Sequence, residues 1–161
     1  MIRMIAMDMD GTLLDYGLNI APQAVEVLRE AAERGVMVTI ATGRMFDSAV
    51  QFAEKLNMDA PLITYNGALI RSLISRETYL HCPMNYEHAH RALEIMDRHD
   101  VSVTMYFDDK LYVKEVDKRV QGYVDIGKVS AYPVGDLVEF LNGEAQKIAR
   151  TGVGMPIPAV W

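Results

Sequence analysis

Two aspartates, Asp8 and Asp10, stand one residue apart at the end of an apolar run, with Gly11 and Thr12 directly after them. Carboxylates that close repel, so one must take a proton or a cation must come between them. A hard divalent ion such as Mg²⁺ prefers oxygen ligands and would relieve the repulsion. In such an Asp-x-Asp loop one carboxylate can act as nucleophile and the other as acid and base. Gly11 permits a tight turn that brings backbone N–H groups near an anion. With the hydroxyl of Thr42, these parts suit phosphoryl transfer, where positioning and charge neutralisation do most of the work.

The elements that must position these groups read as β-α-β-α-β. Residues 2–7 (IRMIAM) are nearly all apolar, as in a parallel-sheet strand covered on both faces. Met1, Met4 and Met7 read as gap-filling core. Residues 22–34 predict a helix, with Pro22 in its first turn, Val25, Leu28 and Ala32 on one face, and Gly35 past its end. Residues 36–41 (VMVTIA) predict a second buried strand, and 61–65 (PLITY) a third. Between them, Phe46, Ala49, Val50, Ala53 and Leu56 recur at helical spacing.

Ligands of an open parallel sheet bind beyond the carboxyl ends of its strands. The first end carries Asp8, Met9, Asp10 and Gly11, the second Thr42, Gly43 and Arg44, and the third Asn66 and Gly67. Each end is polar and holds a glycine, while the strands are apolar, and that coincidence marks a site. Plainer readings stand beside it: a solvated strand end at Asp8 and Asp10, turn chemistry at Thr42 and Gly43, and a hairpin turn at Asn66-Gly67.

After Gly67 the pattern changes. Residues 67–81 predict two short strands and a turn. Tyr86 to His99 reads as a helix capped by Asn85, with Tyr86, Ala89, Leu93 and Met96 on one side. Val101–Phe107 and Leu111–Val113 form a hairpin about Asp108-Asp109. Residues 116–124 and 136–142 predict short helices, Asp136 capping the second, with Asp117-Lys118-Arg119 as a solvated helix face. Residues 145–149 (AQKIA) begin another strand. The expected fold is α/β: a partial doubly wound, Rossmann-like parallel sheet at 1–82, an incomplete α+β domain at 83–149, and an unassigned tail at 150–161.

Composition removes several classes of function. The net charge of −6 argues against a general nucleic-acid or anionic-membrane binder. Cys82 is the only cysteine, so it forms no intrachain disulfide, and it reads as inert packing in a reducing cytoplasm. No apolar run reaches transmembrane length, and acid comes too early for a signal peptide. Neither GxGxxG nor GxxxxGK[ST] occurs. His88 and His90, two apart on a helix, do not face one metal ion.

"DMDGTLL" at 8–14, "ATGR" at 41–44 and "TYNGA" at 64–68 together resemble the haloacid dehalogenase-like superfamily, and more narrowly its Cof-type sugar-phosphate phosphatases. The resemblance implies Mg²⁺-dependent hydrolysis of small phosphorylated metabolites. In it Asp8 is the nucleophile that forms an aspartyl-phosphate, and Asp10 protonates the leaving oxygen and then activates water. Thr42, beside Gly43, hydrogen-bonds the phosphoryl group; Asn66 and Gly67 lie near the substrate. Asp8 and Asp10 are also the metal residues, Mg²⁺ sitting on the Asp8 carboxylate and the Asp10 backbone carbonyl.

The likeness covers 1–82 well and 83–149 loosely, as the start of a cap. Family members are longer, with a phosphate-binding lysine and a GDxxND-like motif after the cap. Lys147 and Gly135-Asp136 imitate these without their setting. The expectation is therefore a truncated chain, impaired as a catalyst, whose half-built sheet exposes an edge that invites self-association. Two other functions compete. One is a non-catalytic remnant or a phosphate-binding or interaction domain. The other is a phosphoacceptor signalling domain, whose acceptor belongs at the third strand end, where this chain has Asn66.

Overall fold

The computed structural model describes residues 2–99 and 101–144, and contacts gather the chain into two units, Met1–His81 and Cys82–Trp161. In the first, Met4–Met7 (β1) pairs in parallel with Met37–Ile40 (β2), Met4 opposite Met37 and Met7 opposite Ile40. Leu62–Thr64 (β3) continues the parallel set through a bridge between Ala41 and Ile63. It also runs antiparallel to Leu69–Arg71 (β4), which pairs with Thr78–His81 (β5).

Two helices make the connections between the parallel strands. Pro22–Glu33 (α1) starts on a residue whose fixed φ suits a helix and whose missing N–H would have had no helical partner. It ends before Gly35, at φ +81°. Phe46–Lys55 (α2) buries Phe46, Ala49, Val50 and Ala53, the face read from the sequence, and Leu56 follows them into the core. That core is built from Met9, Leu14, Ile40, Phe46, Phe52 and Leu62.

β1 departs from expectation. Its apolar run predicts cover on both faces, yet none of its residues is buried and Met4 is 54% exposed, so Met4 fills no gap. The reason is positional: among the described residues β1 is hydrogen-bonded along one edge, to β2 alone. Helix α1 buries no residue fully; Val25, Leu28 and Ala31 lean on the core, and Ala32, expected there, is exposed.

The second unit opens with Tyr86–Met96 (α3), whose first turn is capped as Asn85 accepts the His88 N–H at 2.9 Å. Thr104–Phe107 (β6) and Lys110–Val113 (β7) form a hairpin on a two-residue turn, with Asp108 and Asp109 at φ +52° and +54°. Lys118–Gly127 (α4), Ala131–Pro133 (β8) and Leu137–Gly143 (α5) complete the unit. Met105 and Phe107 pack with Ala89, Leu93, Leu137 and Leu141. Tyr106, pointing the other way, donates its hydroxyl to that of Tyr123 on α4 at 2.7 Å. The sheet is thus packed on both faces.

Three expectations change here. β8 has no counterpart in the sequence reading: it is three residues long, ends in Pro133, and exists because α4 returns the chain to lie parallel to β7. Helix α4 begins at Lys118 because Asp117 accepts the Val120 N–H at 2.7 Å, making Asp117 a cap and not part of a solvated face. Cys82 is exposed and not packed. Asp136 caps α5 as expected, accepting the Val138 and Glu139 N–H groups. The strand expected at 145–149, Lys147 and the tail at 150–161 lie outside the described residues. No described helix is long and apolar enough to cross a membrane.

Candidate active site

Strand β1 ends at Met7, and the alternation of the strand carries on into the loop. Met9 turns inward and is fully buried, so Asp8 and Asp10 on either side of it turn outward and are exposed. Gly11, at φ +74°, lets the chain fold back, and the Leu14 N–H closes the loop on the Met9 carbonyl at 2.9 Å. The Thr12 hydroxyl donates to one Asp8 oxygen at 3.3 Å. Farther along, the Asn19 N–H, with that of Gly17, holds the Asp15 carboxyl below the ordinary carboxylate range and fixes the loop's far side.

The other two strand ends are knitted to this one and to each other. The Ala41 N–H donates to the Met7 carbonyl at 2.8 Å, so Asp8 and Thr42 leave neighbouring strands at the same level. The Thr42 N–H donates to Ile63, the Tyr65 N–H to Arg44 and the Asn66 N–H to Thr42, at 2.9, 3.0 and 3.2 Å. Thr42 is buried, and its hydroxyl oxygen accepts the Arg44 N–H at 3.1 Å, which leaves the hydroxyl proton for a ligand.

Gly43 lets the Asn66 side chain approach closely: a Cβ there would come within 2.9 Å of its oxygen, which would have to move aside. Tyr65 and Asn66 are both left-handed, at φ +51° and +55°, and Gly67 comes next at +92°. Left-handed backbone costs free energy at a bulky residue such as Tyr65. The hairpin reading of Asn66-Gly67 describes the backbone well, since these residues turn β3 into antiparallel β4.

The sequence assigns Arg44 no role. In the structure its guanidinium grips Asp10 from both sides of the fork, Nε to Oδ2 at 2.9 Å and Nη2 to Oδ1 at 2.5 Å. The arginine side chain is 7% exposed and the aspartate 48%. The cation that answers the crowding of Asp8 and Asp10 is thus supplied by the chain itself, 34 residues away. The only hint in the sequence was a charged residue directly after Thr42 and Gly43 at a strand end.

The donor set also bears on a metal ion. Mg²⁺ commonly takes one or two carboxylates and completes its shell with water and phosphate oxygens. Asp8, exposed and bound only by the Thr12 hydroxyl among the contacts described, is an oxygen donor of that kind. Among the described residues no cluster of three or more acidic, histidine or cysteine side chains could hold a metal by itself.

The sequence profile of the haloacid dehalogenase-like hydrolases matches residues 5–145. A pyridoxal phosphate phosphatase from Escherichia coli is 32% identical over 109 residues, which are 68% of this chain and 40% of that protein. A 5-amino-6-(5-phospho-D-ribitylamino)uracil phosphatase from Bacillus subtilis is 44% identical over 69 residues, 43% of this chain and 28% of its own. Among solved structures, a haloacid dehalogenase-like hydrolase from Bacteroides thetaiotaomicron superposes with a TM-score of 0.77 at 23% identity, over 86% of this chain and 54% of that one. A HAD subclass IIB sugar phosphatase superposes at 0.73 and 19% identity, over 92% and 63%. At such identities the structures speak for the fold, and the chain spans well under half the length of the two curated relatives.

Proposed function

We propose a phosphatase reaction for this chain, which belongs to the haloacid dehalogenase-like hydrolase family: hydrolysis of the phosphomonoesters of small metabolites. The observation that carries the reading is the convergence of three polar strand ends, with exposed Asp8 and buried Thr42 leaving neighbouring strands at the same level. The two curated relatives are named for phosphate esters of small organic molecules, which supports that substrate class here.

In this reading an Asp8 oxygen forms a bond to phosphorus as the bond to the leaving oxygen breaks, giving an aspartyl-phosphate. Asp10 gives the leaving oxygen its proton. It then takes a proton from the water that attacks the phosphorus, which releases phosphate and restores the Asp8 carboxylate. The Thr42 hydroxyl proton is directed to a phosphoryl oxygen, Gly43 keeps the approach open, and Asn66 and Gly67 border the substrate. Mg²⁺, held by the Asp8 carboxylate and the Asp10 backbone carbonyl, would offset the charge of nucleophile and phosphate. The reading takes residues 1–82 as catalytic core and 83–149 as the start of a cap that selects the leaving group, in a cytoplasmic setting that suits the unpaired Cys82.

Turnover by the 161 residues alone is expected to be slow. Arg44 is engaged by Asp10, and Lys55, the lysine of the first unit, lies with its Nζ 5.1 Å from the Phe52 ring centre. A donor of this electrostatic kind is commonly worth about a hundred- to a thousandfold. The test is an assay with p-nitrophenyl phosphate and a panel of sugar phosphates, with and without Mg²⁺. Slow Mg²⁺-dependent turnover that vanishes in Asp8→Asn supports the reading. Turnover surviving in Asp8→Asn removes Asp8 as nucleophile, and phosphate binding without any turnover favours a binding domain.

A further inference from the structure

Asp10 is a half-exposed side chain at the tip of a loop, where a carboxylate unaided would sample several rotamers. It is instead held at both oxygens by one rigid group. The Arg44 fork meets Oδ1 and Oδ2 together, which fixes the plane of the carboxylate as well as its position. A lysine, donating from a point, could not do this.

The guanidinium is itself held. Nη1 donates to the buried Ser48 hydroxyl at 3.4 Å, and the carbon of the group lies 5.3 Å from the centre of the Phe52 ring. Ser48 and Phe52 both belong to α2, so the chain of contacts runs from a packed helix through Arg44 to Asp10. Arg44 uses one lone pair on each Asp10 oxygen, and a second remains on each for proton traffic.

We infer that Arg44 is the positioning residue of Asp10, orienting its carboxyl group for proton transfer to the leaving oxygen. The inference rests on the phosphatase reading. Arg44 then acts through Asp10 and touches neither the phosphoryl group nor the leaving group. In kcat/KM, which ends at phosphoryl transfer, its loss is felt where the leaving oxygen needs a proton; the later water step, which also uses Asp10, is common to all substrates.

The experiment compares Arg44→Lys, Asp10→Asn and the double variant in the full chain, on two substrates. p-Nitrophenolate departs without a proton; an alkoxide, as from glycerol phosphate, does not. For Arg44→Lys, kcat/KM on glycerol phosphate is expected to fall about a hundredfold, the scale of a misplaced catalytic group. On p-nitrophenyl phosphate it falls only a fewfold, any loss in kcat there being matched by a fall in KM because it comes from the shared water step, and adding Arg44→Lys to Asp10→Asn changes nothing further.

Equal losses on the two substrates, or a double variant that loses the product of the two single effects, would overturn the inference and leave the phosphatase reading standing. A parent chain that turns over neither substrate overturns the reading, and the inference with it. Melting is followed for each variant, since Arg44 is buried. Ser48→Ala removes a partner of Arg44 and leaves both charges in place. It is expected to give the same selective loss, smaller, in a folded chain; no selectivity there also counts against the inference.

Discussion

The two units use apolar strands to different ends. In the second, Met105, Phe107, Leu111 and Val113 are at most 7% exposed, because helices lie on both faces of a three-stranded sheet. In the first, β1 is as apolar as any of these strands, and none of its residues is buried. Met4 and Met37 stand opposite each other in register and are 54% and 50% exposed. The difference teaches that an apolar run reports what a strand is fit to contact, while burial depends on what lies beside it. The unit whose first strand is left uncovered is the one in which we propose the chemistry. Its strand ends are joined by backbone hydrogen bonds and the Arg44–Asp10 pair, and its buried core is built from Ile40, Phe46, Phe52 and Leu62 and not from β1.

That contrast can be broken at either end. The largest effect is expected at the strand ends. Asp8→Asn abolishes turnover and Asp10→Asn lowers it on the order of a hundredfold or more, the usual scale of general acid–base help. The melting temperature of Asp8→Asn changes little, because Asp8 is exposed. A large loss of stability in that variant would mean that the acid holds the loop and does more than chemistry.

In the second unit the order reverses. Leu111→Ala, at a fully buried residue, is expected to cost about 2–5 kcal/mol in denaturant unfolding. A cost below about 1 kcal/mol would show that the unit is looser than its burial implies.

Asp117→Ala probes the same unit more gently and should cost about 1 kcal/mol, the worth of a helix cap. The Ser102 hydroxyl, then the Val120 N–H, hold the Asp117 carboxyl below its ordinary value of 3.8. A depressed carboxyl stabilises above its unfolded pKa, and the contribution is lost as pH falls through the folded one. The gap between parent and Asp117→Ala should therefore be constant near neutrality and narrow in acid below 3.8. A gap that persists unchanged to the lowest pH would assign the cost to packing.

The smallest effect on stability is expected at β1. Met4→Lys should change it by less than about 0.5 kcal/mol, as exposed positions do. An apolar strand edge of this kind invites pairing with another copy, and a lysine there opposes it. We propose that the parent self-associates and that Met4→Lys suppresses this. Sedimentation of both proteins checks it; a monomeric parent would mean that exposure at β1 carries no such consequence.

The sequence alone determined the elements whose signals are local. Helix α2 was legible from Phe46, Ala49, Val50 and Ala53, because helical spacing is set by the backbone's own period. The caps at Asn85 and Asp136 and the turn at Asp108-Asp109 were legible because a side chain or a left-handed pair settles each within a few residues. The α/β class came from the alternation of strand and helix, and the candidate residues from polar groups at strand ends. Tertiary structure decided the rest. β8 has no pattern of its own and becomes a strand only where β7 offers an edge. The exposure of β1 depends on neighbours that no local window contains. The pairing of Arg44 with Asp10 joins two residues 34 apart, and the position of Arg44 at a strand end does not name its partner. A carboxylate in sequence has two fates, to repel or to be paired, and only the folded backbone brings the cation that chooses between them.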